Sequence, residues 1–214
     1  EARAGTLASG TVAAAAGVAT FVGLTYTATA DQQSFTLTAN DQDGLGSDLA
    51  TVNANAVTSD VVATALVFAT QPAPLQVGSG VATNLTTVPV IQAVDGNSIV
   101  DTGYSTAVTL SEVLGSGSAT LTATGDSDGS AATVTISPVS GVSTFTNMQL
   151  IYTVSGGSSE NFNLQASSGG LSTANSAQLT GVLSDSDGSL TAAGTVSEPV
   201  AISTTIDSTG EAID

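Results

Sequence analysis

The chain alternates apolar and polar residues over many short stretches. Leu66 and Phe68 point the same way in one stretch, and Val88 and Val90 follow after a turn. Successive side chains of a strand point to opposite faces, so this alternation predicts half-buried β-strands. Further strands are predicted at 107–110, 119–124, 133–136, 143–145, 149–154 and 161–166. About seven to nine strands at this spacing, in about 118 residues, predict an antiparallel β-sandwich.

Two prolines follow the first of these predicted strands. Pro72 and Pro74 follow the run 65–70 almost directly. Proline has no N–H to donate to a central ladder. The pair therefore predicts an edge position or a kink at which the chain changes sheets.

Self-comparison finds an internal repeat. The run GVATFVGL at 17–24 matches GVSTFTNM at 141–148, and SFTLTAN at 34–40 matches NFNLQAS at 161–167. The second copy is longer by about three residues, which we place in the Gly/Ser turn at 155–159. Five phenylalanines are then expected to fill sandwich cores: Phe21, Phe35, Phe68, Phe145 and Phe162.

The repeat divides the chain into three parts. We expect residues 63–180 to form one complete Ig-like sandwich and residues 1–62 to correspond to the C-terminal half of a preceding repeat. Residues 181–214 are the start of a further repeat or a strand-donating tail. The predicted fold class is therefore all-β, with Ig-like antiparallel β-sandwich repeats in tandem. The ends are expected to complete one another, within a chain or between neighbours, or to belong to a much longer protein.

Composition agrees with this fold and excludes much chemistry. Aromatic residues are only 4% of the chain, whereas 23 glycines and many Ser, Thr, Asn and Asp residues supply turns. Cys, His and Lys are all absent. Thiolate nucleophiles, Ser-His-Asp triads, Schiff bases and ordinary zinc sites are thereby excluded.

The charge balance limits the partners. Arg3 is the one cation against 18 carboxylates, for a net charge of -17. Such a chain cannot neutralise phosphates, so we expect neither nucleic acid nor an anionic membrane surface as a partner. No run of 18 or more apolar residues exists, so membrane insertion is not expected either.

Several segments resemble the tandem repeats of very large bacterial surface proteins. They are ALVFATQPAPLQVGSG at 65–80, VPVIQAVDGNSIVDTGYSTAVTLS at 88–111 and GVSTFTNMQLIYTVSGGSSENFNLQASSGGLSTANS at 141–176. The tail TVSEPVAISTTIDSTGEAID at 195–214 resembles the start of a different repeat type in the same proteins. The resemblance implies a secreted, extended protein of the bacterial cell surface, either an adhesin or a filament. The resemblance is specific for architecture and says little about function, because such repeats usually act as spacers.

Three D-x-D-G turns are candidate calcium sites. Two carboxylates at i and i+2 of a turn point to one side, and backbone carbonyls can join them around Ca²⁺. No Glu stands at the EF-hand position, so the turns are not EF-hands, and solvated Asp-Gly turns are the plainer interpretation. The candidate ligands are Asp41, Asp43, Asp48, Asp126, Asp128, Asp185 and Asp187.

These aspartates are poor candidates for catalysis. A glycosidase needs two carboxyl groups across a sugar-binding cleft, usually with aromatic platforms, and this chain has no Trp and only three Tyr. Hydrated turn aspartates also lack the apolar surroundings that raise the pKa of a general acid. We therefore expect no enzyme.

The sequence thus predicts a structural module that binds neighbouring repeats or copies of itself. Strands of one subunit can complete the sandwich of the next, giving head-to-tail growth by β-strand addition, with calcium stiffening the acidic turns. A module that binds glycans or a host surface through loops at one end is the first alternative. A surface-layer or sheath subunit is the second.

Overall fold

The computed structural model describes residues 5–8, 11–41 and 49–183, and every regular element in them is a β-strand. The strands are β1 (Gly5–Ala8), β2 (Thr25–Ala28), β3 (Ser34–Phe35), β4 (Thr38–Ala39), β5 (Val52–Asn53), β6 (Val57–Thr58), β7 (Ala65–Thr70), β8 (Gln76–Gly78), β9 (Thr83–Asn84), β10 (Val90–Val94), β11 (Val108–Val113), β12 (Ser118–Thr122), β13 (Thr133–Ile136), β14 (Val142–Thr144), β15 (Gln149–Thr153), β16 (Ser159–Ser167), β17 (Ala174–Asn175) and β18 (Leu179–Val182). The predicted all-β fold class is confirmed. None of the described residues forms a helix long and apolar enough to cross a bilayer.

Residues 63–182, which we call the central sandwich, contain three sheets. One runs β13-β11-β16-β18-β8, with β17 also pairing β16. The other two run β14-β10-β7 and β12-β15-β9. Among the described strand-to-strand pairs of this region, all are antiparallel except β8 and β18, which run parallel.

The core of the central sandwich follows the predicted alternation. Phe162, Leu164 and Ala166 are fully buried on β16, and Leu150 and Tyr152 are fully buried on β15. Every second side chain thus faces inward, as the pleat requires. Full burial of one such side chain contributes about 1.5–3 kcal/mol.

The two prolines mark a change of sheet. Strand β7 pairs with β10, whereas β8, a few residues further on, pairs with β18 in a different sheet. Pro72 and Pro74 lie in the connection between them. Because proline cannot continue a ladder, the chain leaves the first sheet here and enters the second.

The described residues between 5 and 62, which we call the N-terminal segment, repeat the turns of the central sandwich. Ala15 bridges Val18 just as Val139 bridges Val142. Gly17 has φ +79° and Gly141 has φ +76° in these turns. The backbone therefore adopts the same tight, left-handed turn at both sites.

The strand registers of the N-terminal segment repeat as well. Phe35 pairs with Val57 as Phe162 pairs with Leu179. Ala39 pairs with Val52 as Ala166 pairs with Ala174. Strands β3 and β4 thus correspond to the two halves of β16. Strand β5 corresponds to β17, and β6 corresponds to β18.

An aromatic stack in each copy shows that Tyr26 corresponds to Tyr152. The rings of Tyr26 and Phe35 stack at 3.8 Å between centroids, and those of Tyr152 and Phe162 stack at 3.9 Å. Leu7 pairs with Tyr26 as Ala119 pairs with Tyr152. With Tyr26 matched to Tyr152, most of the extra length of the second copy precedes the tyrosine. The expected insertion at 155–159 accounts for only part of it.

The phenylalanines do not all share one environment. Phe145 and Phe162 are fully buried, and Phe68 packs partly buried against the core. Phe35 is half-buried. Phe21, in contrast, is 44% exposed, so its prediction as a core residue is wrong in this structure. The division of the chain at 62/63 and 180/181 stays a prediction.

Candidate functional site: an open sheet edge and the acidic turns

The second D-x-D-G turn connects β12 to β13 and binds its own backbone. Asp126 accepts a hydrogen bond from the Thr135 N–H at 2.9 Å, and Asp128 accepts one from the Ser130 N–H at 2.7 Å. Asp128 also accepts from the hydroxyls of Thr133 at 2.9 Å and Thr135 at 2.6 Å. Both oxygens of Asp128 and one oxygen of Asp126 thus already accept hydrogen bonds from donors of the turn itself.

These hydrogen bonds stabilise the ionised carboxylate. The Thr135 hydroxyl, followed by the Ser130 N–H, lowers the pKa of Asp128 below its usual value. Its donors leave little room for a cation, because a hard ion would compete for the same lone pairs. The geometry of Asp126 and Asp128 therefore favours a hydrogen-bonded turn.

Of the other predicted calcium ligands, only Asp41 lies among the described residues. Asp41 accepts a hydrogen bond from the Leu49 N–H at 2.6 Å, which closes the loop between them. Asp43, Asp48, Asp185 and Asp187 lie outside the described residues. Within residues 5–8, 11–41 and 49–183, no three acidic side chains gather into a metal-binding group. Calcium binding stays a prediction.

A buried tyrosine corner organises the end of the central sandwich. The Tyr152 hydroxyl accepts a hydrogen bond from the Gly117 N–H at 3.3 Å, and Glu160 accepts from the same N–H at 2.8 Å. Glu160 also accepts from the N–H groups of Ser155 and Ser116. Burial, together with the nearby Glu160 charge, raises the pKa of Tyr152 to about 12.

The N-terminal segment contains the same corner without its closing contact. Gln33 stands in place of Glu160 and accepts from the Thr29 N–H at 3.4 Å, as Glu160 accepts from Ser155. The Tyr26 hydroxyl is buried, and no hydrogen-bond partner reaches it from the described residues. Burying a hydroxyl without a partner costs about 1–3 kcal/mol, so this corner is incomplete as it stands.

Beside this corner, the described residues contain no counterpart of β8. In the central sandwich, β8 lies parallel to β18. The two residues after β8 bind the neighbouring strands through their backbone: the Ser79 N–H donates to the Val182 carbonyl of β18, and the Gly80 N–H donates to the Tyr152 carbonyl of β15. In the N-terminal segment, β6 and β2 stand where β18 and β15 stand, yet no described strand lies along them in the place of β8. This uncovered edge between β2 and β6 is what we call the open edge.

A cleft marks the open edge. Its volume is about 430 Å³, and it is lined by Tyr26, Thr27, Ala28, Phe35, Val57, Thr58, Ser59, Asp60, Val61, Val62, Asp95 and Asn97. Apolar side chains around it and along the segment are also uncovered. Leu24 is 39% exposed, whereas its counterpart Met148 is fully buried. A soluble sandwich does not normally leave its core side chains and strand edge open together.

One carboxylate joins the N-terminal segment to the central sandwich. Asp31 accepts hydrogen bonds from the N–H of Val61 at 2.8 Å, from the N–H of Thr102 at 2.8 Å and from the Thr102 hydroxyl at 2.5 Å. Partial burial raises the pKa of Asp31, but the Thr102 hydroxyl and the N–H donors outweigh it and lower the pKa to about 2. Asp31 is the contact that the sequence did not predict, since no motif surrounds it.

We expect Asp31→Asn to loosen this junction. Hydrogen bonds to a charged group contribute about 1.5–3 kcal/mol, so protection of the Val61 and Thr102 amides from hydrogen exchange falls by roughly tenfold or more. The folded pKa is depressed, so the contact is fully present above about pH 4 and is lost as the pH falls towards 2. Exchange measured by mass spectrometry in this pH range checks both effects.

Asp60→Asn is the matched control, because among the described residues the Asp60 carboxylate accepts only from the Gln32 side chain, at 3.2 Å. It should leave the two amides unchanged. Equal protection in the Asp31 and Asp60 variants would contradict a junction role for Asp31.

Comparison with known proteins gives no family. No family model and no curated protein matches the chain. Among solved structures, one similar chain is a glycosyl hydrolase family 2 member from Bacteroides cellulosilyticus, with 15% identity and a TM-score of 0.39. The match covers 74% of this chain but 18% of the hydrolase, so the chain spans less than a fifth of that protein's length. A likeness at this level carries no argument about activity.

Proposed function

We propose that this chain is a structural repeat module of an extracellular bacterial filament or giant adhesin, which assembles head to tail by β-strand complementation. The open edge is the observation that carries the proposal. It combines an edge along which no described strand lies, a buried Tyr26 hydroxyl with no hydrogen-bond partner among the described residues, and apolar side chains that are partly exposed. Each of these is satisfied when a strand is added to a sheet edge.

The proposal also accounts for the charge of the chain. An open edge is an aggregation hazard, and a net charge of -17 keeps unpaired copies apart. Addition of a specific strand can overcome this repulsion because backbone hydrogen bonds and buried apolar area act at short range, whereas salt screens charge beyond about 10 Å. Assembly is therefore expected to increase with ionic strength.

Electron microscopy and sedimentation velocity of the purified chain test the proposal. We expect linear oligomers whose length grows with protein concentration and with salt. A monodisperse monomer at every concentration, with the N-terminal segment strongly protected from hydrogen exchange, would overturn it. A flat lattice would instead favour a surface-layer or sheath subunit, and glycan binding by the monomer would favour the adhesive alternative.

Calcium stiffening is the remaining part of the proposal, and the turns at 41–48 and 185–187 are its candidates. Calcium at about 100 times its Kd stabilises a protein by about 2.7 kcal/mol, so EDTA should lower the melting temperature by several degrees. The Asp41→Asn/Asp43→Asn variant should lose most of this response. The Asp128→Asn variant should keep it, because both carboxylate oxygens of Asp128 already accept hydrogen bonds from donors of its own turn. A melting temperature that EDTA leaves unchanged would remove calcium from the proposal.

A further inference from the structure

The central sandwich is an internal template for what the open edge lacks. Val77 of strand β8 is 2% exposed and lies in the hydrophobic core. Gln76 and Gly78 on either side of it are less buried. The register of β8 against β18 is Thr180 to Gln76, Gly181 to Val77 and Val182 to Gly78. The matching residues of the open edge are Thr58, Ser59 and Asp60.

A segment of the tail has the side-chain pattern of β8. Residues 74–79 read PLQVGS, and residues 199–204 read PVAIST. Both begin with Pro, place aliphatic residues at the second and fourth positions and end on a hydroxyl. Ile202 therefore corresponds to the buried Val77, and Thr204 corresponds to Ser79, whose hydroxyl accepts from the Val154 N–H at 3.0 Å.

The order of the repeats decides which copy provides the segment. The tail follows β18, so it occupies the chain position of the first half of a repeat. The N-terminal segment copies strands from the second half. The order of first half and second half is kept when the tail of one chain meets the N-terminal segment of another, and repeated contacts of this kind give linear growth.

We infer that residues 199–204 of a second copy of this chain bind at the open edge as a parallel strand beside β6. The register is Ala201 to Thr58, Ile202 to Ser59 and Ser203 to Asp60. Ile202 enters the cleft beside Tyr26 and Phe35, and Thr204 reaches the backbone of Ala28, which stands where Val154 stands. This inference rests on the proposed head-to-tail assembly and specifies its partner and its register.

Cysteine crosslinking tests the register, since the chain has no cysteine of its own. Thr58→Cys and Ala201→Cys chains are mixed and oxidised. Side chains of directly paired residues on one face are close enough for a disulfide. We expect a crosslinked heterodimer in the mixture that neither variant forms alone. Gln76→Cys/Thr180→Cys in one chain is the positive control, because these residues pair within the central sandwich.

Two outcomes overturn the inference and leave the proposed assembly standing. One is linear oligomers without the 58–201 crosslink, while the 76–180 control forms its own. The other is a 58–201 disulfide that forms only within a single doubly substituted chain, which would place the tail on its own N-terminal segment. Absence of oligomers from the unsubstituted chain, by contrast, would overturn the proposed function itself.

A second pair of variants measures the role of Ile202. Ile202→Asp would bury an unpaired charge in the cleft and should weaken association by about 100-fold or more. Val200→Asp is the matched control, because its counterpart Leu75 is 46% exposed, so a charge there stays in water. Equal weakening by both substitutions would contradict the assigned register, since added negative charge alone would then explain it.

Discussion

Phe162→Ala should destabilise the central sandwich by about 3–5 kcal/mol. The side chain is fully buried, and its ring stacks on Tyr152 at 3.9 Å with an angle of 3° between the planes. Truncation removes this contact and leaves a cavity among residues of β16 and β15, which a close-packed core fills only partly. In thermal unfolding followed by circular dichroism, the melting temperature should fall by roughly 10–20 °C.

The internal repeat provides the control for this change. Phe35 stacks on Tyr26 at 3.8 Å in the same arrangement, but it is only half-buried beside the open edge. Phe35→Ala should therefore cost the monomer about 1–2 kcal/mol. In assembled material its cost should approach that of Phe162→Ala, because a donated strand would bury the ring. Equal effects of the two substitutions in dilute monomer would contradict the view that the open edge is uncovered.

The strands of the central sandwich could be predicted because their alternation is regular. The stretch 133–136 is observed as predicted, and the stretches at 149–154 and 161–166 differ by a few residues at their ends. Local patterning sets these strands, because each buries one face against a single core. The positions of Phe162 and Phe35 could be matched from sequence for the same reason, since turn and strand residues recur in both copies.

The long-range contacts could not be predicted in this way. Asp31 and Thr102 are distant in sequence, and neither belongs to a periodic run or a motif. The parallel pairing of β8 with β18 also depends on a change of sheet that Pro72 and Pro74 permit but do not direct. Hydrophobic periodicity indicates which face of a strand is buried, but it does not indicate which strand pairs with it.

The exposure of Phe21 has a related cause. A hydrophobic pattern identifies a side chain that is suited to a core, and the core itself must be completed by other strands. Phe145 has these strands and is fully buried, whereas Phe21, in the matching turn, remains 44% exposed. The sequence pattern therefore identified Phe21 as a side chain suited to a core, whereas its burial depends on the strands packed around it, which the pattern does not report.

Gly141→Ala should be the most damaging small substitution in the central sandwich. Gly141 has φ +76°, where an L-residue is strained, and a methyl group there would overlap the Asp101 carbonyl oxygen and lie 2.9 Å from Val100 Cγ1. Strain costs about 1–2 kcal/mol and overpacking about 1–3 kcal/mol more, because the backbone of residue 101 cannot move aside like the end of a flexible side chain.

A substitution at Gly170 separates the cost of backbone strain from the cost of overpacking within the same sandwich. Gly170 has φ +84°, and no atom lies within 4 Å of the position that its Cβ would take. Gly170→Ala should therefore show the strain alone, about 1–2 kcal/mol in urea unfolding, while Gly141→Ala shows strain and overlap together. Gly17→Ala extends the comparison to the N-terminal segment, where the same turn has open space around it, and should leave the unfolding of the central sandwich unchanged. If Gly141→Ala and Gly170→Ala cost the same, the turn at 141 can relax away from residue 101, and its close packing does not hold the sandwich together.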